Sequence, residues 1–421
     1  MIKLITRFKS NIANFGVYLL AAIIPMLLSL VSNPFIAKNM SPEDYAITGY
    51  YGAFTTLFTP LVTFYLLHYY TKRFYELNDA DRKVLKDTLF KSLIFFSAFL
   101  SVISLSILGV YKSVFNSESQ IAFFPYAAIS IFSLPLTGIY SLTLTEYRMK
   151  RESKKFFRLS VANGLLGVIL AIILVVLFKF GAIGRLSATF IASAAVFTYI
   201  LYKNQDVWTS NFSREIFITA VKFCFPLVIA AMLTFFCTGY DKVLLEREGD
   251  LYSLGIYSVG VTIASYLNVF STSINDTFQP DIFESIVKRN FRRCFKFIVM
   301  KLSIMSTIVL LFSIFAPFIV SLLTYGRYDS SSPFAIIVSI SSITSMLYYS
   351  ISQVTIALGY TKITLTNKII GSVLSIISFH VLISNFGVYG AAWGIVLSYI
   401  YFFTGNVILV LLEYKRNTKI K

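Results

Sequence analysis

The sequence predicts an all-α polytopic membrane protein. Twelve transmembrane helices form two six-helix lobes related by a parallel pseudo-twofold repeat, and both termini are cytoplasmic. Three observations predict this. First, hydrophobic residues fill 57% of 421 positions and charged residues only 14%, with a mean hydropathy of +0.74. A soluble protein of this size needs more charge to cover itself. Second, the chain matches itself at a constant shift of 206 residues. Gly49-Tyr50-Tyr51 falls on Gly255-Ile256-Tyr257, and Phe180-Gly181-Ala182-Ile183-Gly184 falls on Phe386-Gly387-Val388-Tyr389-Gly390. Arg82, Lys83 and Lys86 fall on Lys288, Arg289 and Arg292. A duplicated half of this length points to a two-lobed transporter with its path between the lobes. Third, 29 of the 37 lysines and arginines crowd into one set of loops.

A helix crosses the hydrocarbon core in roughly 20 apolar residues. Spans are expected near Ile12–Ser32, Tyr45–Tyr70, Leu89–Tyr111, Ile121–Leu144, Leu159–Phe178, Leu186–Tyr202, Ile216–Gly239, Leu251–Thr277, Phe297–Leu323, Pro333–Ala357, Ile369–Ser384 and Val388–Leu412. The first run is long for a signal peptide and no A-x-A site follows it, so it reads as an uncleaved span. Six spans per half is an even number, so both halves enter from the same side. The organisation is then an N-terminal lobe over 1–203, a polar link over 204–215, a C-terminal lobe over 216–412 and a basic tail over 413–421. The two FGxxG turns join spans five to six and eleven to twelve, and their glycines permit the positive φ of a tight helical hairpin. Pro25, Pro60, Pro135, Pro226 and Pro317 are potential kinks inside spans.

The cation-rich loops are the N-terminus with Lys3, Arg7 and Lys9, then 72–91, 148–158, 203–222, 288–296, Lys362 with Lys368, and the tail. They are cytoplasmic by the positive-inside rule. The other side holds Lys38, Lys112, Lys179, Arg185, Lys242, Arg247 and Arg327. This asymmetry accounts for the net charge of +17 through topology and contact with anionic lipids, and no nucleic-acid module is visible. Cys224, Cys237 and Cys294 lack CxxC spacing and read as small apolar filler. No P-loop, HExxH or GxSxG motif appears, so neither an enzyme nor a cofactor is expected. Asp79-Ala80-Asp81 has a DxD form but sits among charges in a solvated loop. Energy must come from an ion gradient (proton or sodium), the membrane potential or the substrate's own gradient.

Span eight carries the clearest polar stripe. Ser265, Asn268, Thr272, Asn275 and Gln279 recur at steps of three and four, with Asp276 beside them. Such a face looks at protein or at a wet cavity rather than at lipid. Its partner, span two, carries Thr48, Tyr51, Thr55, Thr59 and Thr63, and spans four and ten have shorter polar faces. Helix–helix hydrogen bonding and a cavity wall are both open readings, and the recurrence of polar faces on repeated spans favours the cavity. Asp241 and Lys242, ending span seven, and Lys38, just past span one, are the charges best placed for a pathway. Asp241 and Lys242 alternatively form a pair at the outer interface. Lys301 reads as snorkelling to the cytoplasmic face, Lys179 and Arg185 as interfacial, and His68 and His380 as structural.

Four stretches carry a family resemblance: Asn33-Pro34-Phe35-Ile36-Ala37-Lys38 with Ser41-Pro42-Glu43-Asp44-Tyr45, Phe225-Pro226-Leu227 with Asp241-Lys242-Val243-Leu244-Leu245, Leu254-Gly255-Ile256-Tyr257-Ser258, and Asn385-Phe386-Gly387-Val388-Tyr389-Gly390-Ala391-Ala392. In order and spacing the chain resembles the bacterial polysaccharide (O-antigen) flippases of the multidrug/oligosaccharidyl-lipid/polysaccharide (MOP) exporter superfamily. The resemblance implies an inverted V of two six-helix lobes in the bacterial cytoplasmic (inner) membrane. It implies flipping of an undecaprenyl-pyrophosphate-linked oligosaccharide by alternating access, for O-antigen and lipopolysaccharide, capsule or exopolysaccharide assembly, with polysaccharide-assembly proteins as partners. It also implies that cations near the cavity meet pyrophosphate or acidic sugars. Lys242 and Lys38 stand where the family often has a basic residue, and lysine there makes a looser point-charge contact than the arginine fork.

The nearest alternative is an ion-coupled multidrug or organic-cation antiporter of the same superfamily, which should hold an unpaired carboxylate within one lobe. The first lobe has no clear mid-span acid, since Glu146 is close to the cytoplasmic end. A major-facilitator fold lacks support because Lys72–Lys86 has no glycine and no long central loop exists. A polymerase-type enzyme would carry large outer loops with clustered arginines, and a scaffold would not need polar faces in repeated spans.

Overall fold

A computed structural model describes residues 2–358 and 360–419; side chains are described at 17, 20, 21, 23–358, 360, 362–413 and 416. The expected basic residues Lys3, Arg7 and Lys9, and Lys415, Lys419 and Lys421 of the tail, lie outside the described side chains. Among the described residues the regular structure is helical throughout. Nine stretches among the described residues, beginning at Asp79–Phe115 and ending at Lys362–Glu413, are long and apolar enough to cross a membrane. The eleventh and twelfth expected spans share the last of these. Contacts divide the chain into two compact units, Met1–Met232 and Leu233–Lys421, so the boundary falls inside the seventh expected span.

The first unit holds α1 (Ile2–Asn39), α2 (Pro42–Thr63), α3 (Leu66–Arg73), α4 (Asp79–Phe115), α5 (Tyr126–Met149), α6 (Ser153–Ala171), α7 (Gly181–Lys203) and α8 (Arg214–Met232). A wider π-type turn, Ile172–Leu177, continues α6. The start of α2 is set by a capping box: Asp44 N–H donates to Ser41 Oγ at 3.2 Å and Ser41 N–H to the Asp44 carboxylate at 2.9 Å, with Pro42 in the first turn. Its end is set by Phe64 and Tyr65, both with positive φ (48° and 49°). Neither residue can continue a right-handed helix there, so α3 restarts at Leu66. Arg82 fastens the next loop by donating to the carbonyls of Phe74 and Leu77, both at 2.9 Å. The core joins Leu66, Leu89, Leu93, Ile139, Val196 and Val228, so α3, α4, α5, α7 and α8 share one apolar interior. Cys224 of α8 lies against Tyr65, its thiol 3.3 Å from that carbonyl.

The second unit holds α9 (Phe235–Thr238), α10 (Tyr240–Arg247), α11 (Leu251–Ser265), α12 (Asn268–Val287), α13 (Phe291–Thr324), α14 (Ser332–Ala357) and α15 (Thr361–Lys419). Gly387 breaks α15 into two helical segments (φ 53°, ψ −130°). Asp250 caps α11, its carboxylate accepting from Ser253 N–H at 2.9 Å; hydrogen bonding with the Ser253 side chain and then with this N–H holds the Asp250 carboxyl below its usual value. Leu267, Met305, Val309 and Met346 join α13 and α14 beneath the α11–α12 junction.

Both FGxxG turns are built as their glycines require. Gly181 and Gly387 adopt φ of 52° and 53°. The second glycine of each turn serves close approach instead. A Cβ on Gly184 would lie 3.0 Å from the Leu174 carbonyl oxygen, and one on Gly390 would lie 2.0 Å from that of Leu382. Asp44 also reaches the first turn: its second carboxylate oxygen accepts from Ala182 N–H at 2.7 Å, capping α7.

Candidate functional site

Burial of a charge in a helical membrane protein demands a partner, because water is not at hand to solvate it. In the second unit that demand is met at α10. Asp241 is fully buried and Lys242 nearly so. Tyr257 donates its hydroxyl to Asp241 Oδ2 at 2.6 Å, and Lys242 Nζ reaches the same oxygen at 3.2 Å. The ammonium also lies 5.8 Å from the Tyr257 ring centroid. Asp241 Oδ1 has no hydrogen-bond partner among the described residues. The pair is therefore formed, and it lies inside the unit. Lys301 is also fully buried and donates to Gln353 Oε1 at 3.2 Å rather than snorkelling to the surface. Lys368 donates to Thr234 Oγ1 at 3.1 Å.

The polar stripe has the opposite character. Ser265, Asn268, Thr272, Asp276 and Gln279 are exposed and Asn275 is half-buried. Thr272 donates back to Asn268 O (2.9 Å), Ser265 to Thr262 O (2.6 Å) and Asn275 Nδ2 to Ser271 O (3.0 Å). These three donors are satisfied within their own helical segment, and among the described residues the stripe makes no side-chain hydrogen bond to a neighbouring helix. Thr55 and Thr59 of α2 are half-buried and do the same, to Gly52 O at 2.7 Å and Thr55 O at 2.6 Å. Lys38 is exposed in the last turn of α1. The ten residues singled out from the sequence thus separate into a buried pair, an exposed face on α12, a half-buried ladder on α2 and one exposed lysine.

The first unit holds two polar cavities that sequence spacing did not disclose. One, of about 390 Å³, lies where α4, α5 and the α7–α8 link meet; its lining includes Tyr70, Arg82, Lys86, Asp87, Glu146 and Asp206. Glu146 receives Lys86 at 3.0 Å and Lys150 at 2.6 Å, while Lys83 reaches Asp206 at 3.0 Å. The hydrogen bond from Lys83 holds the Asp206 carboxyl below the usual carboxylate value. The other, of about 230 Å³, is a partly open cleft lined by α1, α6 and α7, and Arg185 is its charged wall residue. Arg185, expected at the membrane interface, lines this cavity. The signal was present as three separate stripes, Pro25–Ser29–Ser32, Gly164–Gly167–Ala171 and Arg185–Thr189–Ser193, but only tertiary structure brings them together.

The architecture is similar to that of several solved transporter structures. An inward-facing multidrug-resistance MATE family transporter of the MOP superfamily matches with a TM-score of 0.68 at 15% identity, covering 95% of this chain and 98% of the other. The lipid II flippase MurJ in its inward closed conformation matches with a TM-score of 0.69 at 16% identity, covering 93% and 86%. A MOP-superfamily transporter from Pyrococcus furiosus, described as having a binding pocket of reversed polarity, matches at 0.60 and 12%, covering 97% and 95%. No curated protein sequence matches. The chain belongs to the family described as polysaccharide biosynthesis protein, whose model matches residues 12–286. It is a multi-pass membrane protein whose fold is similar to that of these MOP-superfamily structures.

Proposed function

We propose that this protein is a flippase that carries an undecaprenyl-pyrophosphate-linked oligosaccharide across the bacterial cytoplasmic membrane by alternating access, for O-antigen, capsule or exopolysaccharide assembly. The observation that carries this reading is the family match over residues 12–286. The fold likeness to MurJ supports a lipid-linked cargo. The proposal includes twelve spans as two six-helix repeats with both termini cytoplasmic, which the shift of 206 residues and the loop cations support. The lobes are those expected from the sequence, 1–203 and 216–412, with a link over 204–215 and a tail over 413–421.

For substrate contact we assign the exposed face of Asn268, Thr272, Asn275, Asp276 and Gln279, the Thr55–Thr59 ladder and Lys38. Hydroxyl and amide groups suit sugar recognition, and the threonine hydroxyls, already donating in-helix, leave oxygen lone pairs to accept. Asp241 and Lys242 enter this reading as a buried pair whose exchange of partners accompanies transport. A proton or sodium gradient, the membrane potential or the substrate's own gradient drives the cycle, and polysaccharide-assembly proteins are candidate partners.

The test is deletion of the protein followed by mass analysis of lipid-linked glycans. Complete undecaprenyl-linked repeat units should accumulate on the cytoplasmic face while surface polysaccharide disappears. Lys38→Ala should reduce flipping with protein still present in the membrane. The likeness to a MATE transporter supports a second reading, an ion-coupled exporter of organic cations. Normal surface glycan with raised sensitivity to cationic drugs would select that reading.

A further inference from the structure

The cavity between α1, α6 and α7 holds a charge that the protein itself does not answer. Its polar lining is Ser29, Ser32, Asn163, Arg185, Thr189 and Ser193, so it has one cation and no carboxylate. Arg185, Thr189 and Ser193 stand at i, i+4 and i+8 of α7 and therefore on one face. Among the described residues the Arg185 guanidinium has no hydrogen-bond or ion-pair partner. Asp44, which meets the start of α7, has one oxygen accepting from Ser41 N–H at 2.9 Å and the other from Ala182 N–H at 2.7 Å. It forms no ion pair with Arg185.

The walls are fixed by close packing. A Cβ on Gly164 would lie 2.7 Å from the Pro25 Cβ, and Ser160 donates to Ala21 O at 2.8 Å, so α1 and α6 touch directly at the cavity wall. Gly167 differs: nothing lies within 4 Å of where its Cβ would be. That glycine leaves open space that any other residue would begin to fill. A planar five-donor fork facing hydroxyls and an amide in a space of about 230 Å³ is suited to two oxygens of one anionic group.

We propose that this cavity is an oxyanion-binding site in which Arg185 holds a carboxylate or phosphate through paired hydrogen bonds. The site is contained in the first unit and stands independently of what the protein transports. Either an acidic soluble group or the phosphate of a lipid headgroup supplies the ligand chemistry.

The experiment uses the full chain purified in a neutral detergent. Its thermal unfolding is followed with inorganic phosphate or glucuronate against chloride at equal ionic strength, and co-purified phosphatidylglycerol is counted by native mass spectrometry. Three variants accompany it: Arg185→Gln removes the fork, Arg185→Lys keeps the charge, and Gly167→Val fills the space with Arg185 intact. The site predicts saturable stabilisation by phosphate or glucuronate, weakened at least tenfold in Arg185→Gln and Gly167→Val and less in Arg185→Lys. Phosphatidylglycerol retained by the wild type, lost from both of those variants and accompanied by no response to soluble anions identifies the headgroup as the source. Equal binding by the wild type and Gly167→Val, or none of any anion, overturns the proposal even where Arg185→Gln does not fold.

Discussion

The two units differ at one cation: most of their buried and half-buried cations find an internal partner, and one in the first unit does not. In the second, each of Lys242, Lys301 and Lys368 finds an internal partner: Asp241, Gln353 and Thr234. In the first, Lys86 and the exposed Lys150 gather on Glu146 at the helix ends, while the half-buried Arg185 faces a cavity without a partner among the described residues. A desolvated cation is costly anywhere. Satisfying it internally yields structure; leaving it to an outside group yields a site. The comparison separates residues that hold the second unit together from one that waits for a ligand.

The most forceful way to break this comparison is at Asp241. Asp241→Ala should lower stability by about 3–5 kcal/mol, because Lys242 and Tyr257 are left buried without their shared acceptor. Thermal unfolding in detergent reads this, and the double variant Asp241→Asn/Lys242→Met should recover most of the loss. An unchanged unfolding temperature for Asp241→Ala would remove the structural role of the pair.

The two FGxxG turns offer a matched second test. Gly181→Ala and Gly387→Ala both force a side chain into the left-handed region, at about 1–2 kcal/mol. At Gly387 nothing lies within 4 Å of the new methyl, whereas at Gly181 it would sit 2.4 Å from an Asp44 carboxylate oxygen. The total at Gly181 should therefore reach about 2–4 kcal/mol. Equal losses would mean that Asp44 moves aside freely.

Third, Gln353→Leu should cost about 1–3 kcal/mol by stranding the Lys301 ammonium, more than Lys301→Met, which removes the charge itself. The reverse order would show that Lys301 has another partner.

The smallest effect belongs to the Lys83–Asp206 pair, both of whose side chains are 59% exposed. The folded Asp206 pKa lies below its ordinary 3.8, so its contribution is present above that value and is lost as the pH falls through the lowered one. Lys83→Ala should abolish this acid-side dependence, and raised salt should mask it in the wild type. A dependence that survives Lys83→Ala would assign the shift to another group.

Helix order and both hairpin glycines were legible because hydropathy and positive-φ demands are local properties. The polar face of α12 was legible for the same reason, since 3.6-residue periodicity fixes which side chains share a side. Partners were not legible. Lys301 read as a snorkelling residue from its nearness to a helix end, yet its ammonium meets Gln353, 52 positions along the chain. Arg185 read as interfacial because it flanks a turn. Its role depends on α1 and α6 arriving beside α7, and no spacing within one helix encodes that.

The stretch between α7 and α8 looks slack in sequence, but α4 splints it along its length. Lys86 donates to Asn204 Oδ1 at 2.7 Å, Lys91 to Ser210 O at 2.6 Å, and Ser213 N–H to Thr88 Oγ1 at 3.2 Å. Polar connectors are the habitual choice for epitope tags and protease sites in topology mapping. Here an inserted tag would tear these struts from α4, and a protease would find the backbone already held. Resistance to nicking in this stretch would report the splint and not the side of the membrane on which it lies.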